Sequence, residues 1–110
     1  GAERLRNSNE LTEMLKREAQ DGKLYAAICA SPAVVLNHHG LLADRKATAY
    51  PGFAEQLPNT ESIESRVVVD NNCITSRGPG TAMEFALKLV EVLYGEEMAK
   101  NVADSMLATY

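Results

Sequence analysis

The fold turns on Leu24-Tyr25-Ala26-Ala27-Ile28-Cys29-Ala30-Ser31-Pro32-Ala33-Val34-Val35-Leu36. Leu24 to Ile28 is a short apolar run without alternation, the pattern of a strand covered on both faces in a parallel sheet. Ser31 and Pro32 are helix-start residues, and proline suits a first helical turn because its missing N–H has no intrahelical partner there. Cys29 therefore stands at a strand-to-helix junction. Free backbone N–H groups and the helix dipole favour an anion such as a thiolate at that point. Cys29 has two readings: an activated nucleophile, or a small residue filling a core, the commoner fate of a free cysteine.

The chain around this junction has the size of one small domain, 110 residues, with the apolar share of a globular protein at 45%. A net charge of −4 and the lack of a basic stripe argue against a nucleic-acid partner. No apolar run approaches the roughly 18 residues of a membrane span, and the polar start does not read as a secretory leader. Cys29 and Cys73 have neither metal-ligand spacing nor the look of a disulfide framework, which points to a reducing, cytoplasm-like setting.

Upstream, residues 1–7 give no clear element. Ser8 caps a helix whose apolar face is Leu11, Met14, Leu15 and Ala19, with Glu13 and Arg17 at i,i+4, and Gly22 ends it. Such a helix feeding Leu24–Ile28 is half of a βαβ unit, and a covered strand needs neighbours on both sides. Downstream, the helix after Cys29 runs to Gly40. His38 and His39 fall in its last turn as solvated residues; adjacent helical positions diverge, so the pair makes a poor metal site. Ala47–Tyr50 reads as a short strand stopped by Pro51-Gly52, and residues 53–58 as a short helix or ordered loop. Arg66–Asp70 and Cys73–Ser76 read as a hairpin around Asn71-Asn72. Cys73, alternating along its strand, reads as structural.

Thr75-Ser76-Arg77-Gly78-Pro79-Gly80-Thr81 closes that strand and caps a new helix through Thr81. Turn chemistry leaves it either a tight connection or a loop whose backbone approaches a pocket. It lacks the Gly-Lys-Ser/Thr ending of a phosphate-binding loop. The helix beyond it, with Phe85, Leu89, Val92 and Leu93, is apolar over more than one face and belongs in a core or at a subunit contact; Glu84 and Lys88 form an i,i+4 pair on it. Residues 96–107 read as a last helix.

Three of these motifs resemble the DJ-1/PfpI superfamily, its DJ-1 (ThiJ/YajL-like) branch in particular: Ala26–Ala33 as a nucleophile elbow, Thr75–Thr81 as the signature before a long helix, and Gly1-Ala2-Glu3 as the end of a glycine-rich loop. The resemblance implies a flavodoxin-like α/β sandwich with a mostly parallel sheet, and a homodimer. It implies Cys29 as the catalytic and redox-sensitive thiol, with the Ala30 backbone N–H as an oxyanion donor. It further implies a pocket at Tyr50, Pro51, Gly78 and Pro79, and an Arg66–Glu84 salt bridge. The apolar helix after Thr81 would lie in the core. Family members are nearly twice as long, so residues 1–110 are expected to be the C-terminal portion of a single domain. An N-terminal portion would complete it and bring the carboxylate that partners the thiol. Tyr50 stands where animal members often have His, so no Cys–His–acid triad can be assembled here.

The implied function is cysteine-dependent action on small 2-oxoaldehydes, of the glutathione-independent glyoxalase or deglycase type, without metal or other cofactor. The competing reading is a non-enzymatic redox sensor or chaperone with Cys29 oxidised to sulfinate. A thiamine (thiazole) synthesis role has less support, because no thiazole or phosphate site is visible. Protease activity is disfavoured because Ala30, not His, follows the cysteine.

Overall fold

The computed structural model describes all 110 residues. Two helices, α1 (Ala2–Arg6) and α2 (Asn9–Gln20), lead into β1 (Tyr25–Ile28). A wide-wound π-helix, Pro32–Asn37, leaves the elbow, and a long connection carries a single 3₁₀ turn at Ala54–Gln56. The hairpin strands β2 (Val67–Asp70) and β3 (Cys73–Ser76) come next, then a 3₁₀ turn at Pro79–Thr81 and the helices α3 (Ala82–Tyr94) and α4 (Glu96–Ser105).

The sheet has the order β1-β3-β2. β1 runs parallel to β3, pairing Tyr25 with Cys73 and Ile28 with Ser76, while β2 and β3 are antiparallel. The three strands of this chain thus form a mixed sheet, the antiparallel pair being the expected hairpin. A two-residue turn lets Asn71 take the left-handed backbone (φ 56°), for which asparagine has unusual tolerance, and this closes the hairpin locally. β1 has a neighbour on one side only. Its Tyr25 is buried, but Ala26, Ala27 and Ile28 are partly exposed, so the run expected to be covered on both faces is covered here only in part.

The main core lies on one face of the sheet. Tyr25 and Cys73 pack there with Ala33 and Leu36 of the π-helix and with Leu42, Ala47, Ala49 and Leu57 of the connection. α3 packs against β2 and β3, and α4 against α3. Along the free side of β1 runs an apolar depression of about 340 Å³ lined by Leu5, Leu11, Leu15, Ile28, Val35 and Phe85, among others.

Several local expectations are corrected. Residues 1–7 contain α1, which is too short to stand alone; it rests on the π-helix and has Glu3 in its first turn and Arg4 and Arg6 in its last, complementing the dipole. Ala47–Tyr50 is buried over its first three residues but joins no ladder, because Thr48 N–H donates to the Thr75 side chain (2.9 Å) instead of a strand carbonyl. The Glu13–Arg17 and Glu84–Lys88 pairs do not form; Lys88 bonds Glu91 (2.7 Å) at i,i+3. Of α3 only Leu87 is fully buried, whereas Met83, Val92, Leu93 and Tyr94 are exposed, so the helix placed in the core is half bare in this chain. His39 is no solvated cap. Its Nε2 donates to Arg6 O (2.8 Å) and lies 3.2 Å from Thr12 Oγ1, which ties α1, α2 and the π-helix together.

Candidate active site at the strand-to-helix elbow

At the end of β1 the chain must stop being extended and enter a helix within one residue. Cys29 makes that turn with φ 67°, a left-handed backbone that a residue with a Cβ adopts at a cost of about 1–2 kcal/mol. Three hydrogen bonds hold it there or build the turn after it. Cys29 N–H donates to Ser76 O (3.1 Å), extending the β1–β3 ladder by one step. Tyr50 N–H donates to Cys29 O (2.7 Å), and Ala30 O accepts from Val34 N–H (2.9 Å). The Ala30 N–H itself donates to no group in the fold, backbone or side chain, and it adjoins the thiol. Cys29 is partly exposed. The site thus presents a partly exposed cysteine, a strained backbone and an unused donor next to it.

The second wall is the Gly-Pro-Gly loop. Thr81, expected to cap α3, makes no capping bond to that helix and reaches backwards. Its Oγ1 accepts from Arg77 N–H (3.2 Å) and Gly78 N–H (3.1 Å) and lies 2.6 Å from Ser76 Oγ, which donates to Arg66 O. One buried hydroxyl therefore fixes the whole turn. Gly78 is extended and carries no backbone strain; a Cβ there would stand 3.3 Å from Cδ1 of Tyr50, close enough that the ring would have to shift. The Tyr50 ring thus lies against the loop.

Tyr50, Pro51, Gly78 and Pro79, the expected pocket residues, do come together, and with Arg66, Arg77, Gly80 and Thr81 they line a shallow depression of about 260 Å³. Cys29 does not line it; its backbone carbonyl is joined to the rim through the hydrogen bond from Tyr50 N–H. Arg66 and Glu84 form a bidentate pair with contacts of 2.7 to 3.1 Å, and Arg66 Nη2 also donates to Gly80 O (2.9 Å). The hydrogen bond from Arg66 holds the Glu84 carboxyl below its usual range. Arg77 has no role legible from its motif alone. Its Nε donates to Ala49 O (3.2 Å), which points the side chain at the depression.

Cys73 lies elsewhere, fully buried at the opposite end of the paired strands. Burial pushes its thiol up to about 11 and, most strongly among its causes, pushes the neighbouring Tyr25 hydroxyl up to about 12. Four strand residues separate the levels of Cys29 and Cys73, about 13 Å, well beyond the span of a disulfide. No group of three or more His, Cys, Asp or Glu side chains is placed to hold a metal ion.

Residues 1–92 match the DJ-1/PfpI family. The chain belongs to that family. It is 50% identical over 107 residues to Protein DJ-1 homolog B of Arabidopsis thaliana, covering 97% of this chain and 24% of that protein. It is 38% identical over 103 residues to the glutathione-independent glyoxalase DJR-1.2 of Caenorhabditis elegans, covering 93% of this chain and 55% of that one. Oxidized Toxoplasma gondii DJ-1 superposes with a TM-score of 0.95 at 57% identity, over 100% of this chain and 60% of the other. The flavodoxin-like α/β fold is therefore shared, and the chain spans between a quarter and three-fifths of these relatives.

Proposed function

We propose that the protein acts on small 2-oxoaldehydes through Cys29, without metal or glutathione. The observation that carries this is the elbow: a partly exposed thiol on a left-handed backbone, with the Ala30 N–H unused beside it. The glyoxalase name of the Caenorhabditis elegans relative agrees with it. The thiolate adds to the aldehyde carbon, and the new alkoxide accepts from Ala30 N–H and is protonated, giving a hemithioacetal. Moving a proton from the former aldehyde carbon to a base, and returning one to the adjacent ketone carbon, makes a thioester. Water then releases a 2-hydroxy acid and the free thiol. The aldehyde is oxidised and the ketone reduced, so no external oxidant is needed.

The base in this scheme is a carboxylate of an N-terminal portion that completes the domain, with residues 1–110 as its C-terminal portion. The free side of β1 and the apolar depression beside it are the seat for that portion. The exposed residues of α3 and α4 supply the surface of a homodimer. Tyr50, Pro51, Gly78 and Pro79 wall the substrate pocket, and the Arg66–Glu84 pair is structural. In the complete protein, Cys29→Ser is expected to abolish methylglyoxal consumption in glutathione-free buffer. Undiminished consumption overturns the proposal.

A second reading, a thiol that senses peroxide, is favoured by the contrast between the reachable Cys29 and the buried Cys73. Two equivalents of peroxide convert the thiolate to sulfinate with release of water. Mass spectrometry after mild peroxide tests it: two oxygens at Cys29 with Cys73 untouched support sensing, and equal oxidation of both opposes it.

A further inference from the structure

The peptide joining Ala49 to Tyr50 is used on both sides. Its N–H donates to Cys29 O (2.7 Å), and its carbonyl accepts from Arg77 Nε (3.2 Å). A single rigid peptide unit therefore spaces the Arg77 guanidinium from the reactive residue, and Nε lies within about 8 Å of the Cys29 carbonyl oxygen. Pinned by Nε, the guanidinium keeps its two terminal nitrogens without a partner, since Arg77 makes no ion pair and no other hydrogen bond through its side chain. Arg66, the other guanidinium on the same depression, is neutralised by Glu84. Arg77 is thus the one uncompensated charge in a hollow otherwise walled by the Tyr50 ring, Pro51 and the Gly-Pro-Gly turn, and that hollow joins the elbow through the Tyr50–Cys29 hydrogen bond.

We infer that Arg77 is a specificity-determining residue that binds an anionic end, carboxylate or phosphate, of the carbonyl compound presented to Cys29. Fixed in the plane set by its Nε bond, the guanidinium offers paired N–H donors to two oxygens of such a group. The inference rests on Cys29 being the reactive centre, and it adds a charge preference that a neutral 2-oxoaldehyde does not reveal.

Alkylation of Cys29 in the full chain, by anionic iodoacetate and by neutral iodoacetamide, reads the charge directly. The rate ratio is taken by mass spectrometry and normalised to a free thiol. The ratio is expected to exceed that of the free thiol by about three- to fivefold, the effect of one nearby unit charge in a solvent-exposed setting, and to shrink in high salt. Arg77→Gln should return it to the free-thiol value and Arg77→Lys should keep most of it. Equal ratios in the unmodified protein and Arg77→Gln overturn the inference. A Cys29 that reacts with neither reagent overturns the reading of Cys29 instead, and the anion site is then judged by NMR. Inorganic phosphate and acetate, titrated separately, should move the Arg77 Nε–H resonance saturably, and the arm with the larger shift identifies the group. No shift with either overturns the site.

Discussion

The two ends of the β1–β3 pair each carry a cysteine, and they are built in opposite ways. At one end the strands run out into Cys29 and Arg77, and the backbone is bent, hydrogen-bonded from outside and left with an unused donor. At the other, Cys73 sits opposite Tyr25 inside a closed polar rim. Arg45 bonds Asn72 (2.7 Å), Asp70 accepts from Lys46 N–H (2.7 Å), and the Tyr25 hydroxyl donates to Leu41 O (2.6 Å). The same residue type in the same sheet is presented in one place and sealed in the other. Local backbone geometry and burial decide this; the strand that carries the thiol does not.

The sharpest way to break this contrast is reactivity. At pH 8 a thiol pushed up to about 11 is thiolate in only about one molecule in a thousand, and Cys73 is also closed to reagent. Native iodoacetamide labelling should therefore modify Cys29 at least about a hundredfold faster than Cys73, with the difference disappearing in denaturant. Comparable native rates would show that the buried end opens as readily as the elbow.

The next largest effect belongs to the loop that walls the elbow. Thr81→Val keeps the shape but leaves the Arg77 and Gly78 N–H groups without their acceptor, at a cost of about 3 kcal/mol in chemical denaturation. Thr81→Ser should recover most of it. A neutral Thr81→Val would mean that water replaces the hydroxyl and that the loop is not fixed from within.

The sealed end should announce itself in alkali. Cys73 and Tyr25 both hold their protons more tightly in the fold than in the unfolded chain. Between about pH 9 and 11 the unfolded chain has lost the cysteine proton and the native state has not, so the native state binds more protons and stability falls as pH rises. The loss attributable to Cys73 is on the order of 2 kcal/mol. In Cys73→Ala the decline should begin about one pH unit higher, where Tyr25 takes over. An unchanged onset would show that Cys73 carries none of it.

How far this contrast could be read in advance depended on how local its causes are. The elbow was legible because an apolar run, a cysteine and Ser-Pro are adjacent, and the hairpin because β-branched strands flank Asn71-Asn72. α1 was not legible: five residues become helical only by resting on the π-helix and on the His39 bond. The segment 47–50 has strand composition, yet its donor finds a threonine side chain, a partner 27 residues away. Thr81 has the position of a cap for α3 and instead closes the Gly-Pro-Gly turn before it. Arg77 has no role within Thr75–Thr81 taken alone, because only the fold brings Ala49 O to its Nε. Each missed feature depends on a contact distant in sequence or directed backwards along the chain.

The smallest effect separates the two ends by sign. Glycine at position 29 removes the Cβ that makes φ 67° costly, and part of that gain is lost to the greater backbone freedom of glycine in the unfolded chain. Cys29→Gly should therefore be more stable than Cys29→Ala by about 1 kcal/mol, while both lack the thiol. At position 73 the backbone is ordinary strand and the side chain is packed, so glycine there should be less stable than alanine by a similar amount. Urea denaturation of the four variants, compared in pairs, isolates the backbone term because each pair lacks the same sulfur. A glycine at 29 no more stable than alanine would mean that the elbow is unstrained and that exposure and the unused Ala30 N–H, not backbone strain, distinguish it from the sealed end.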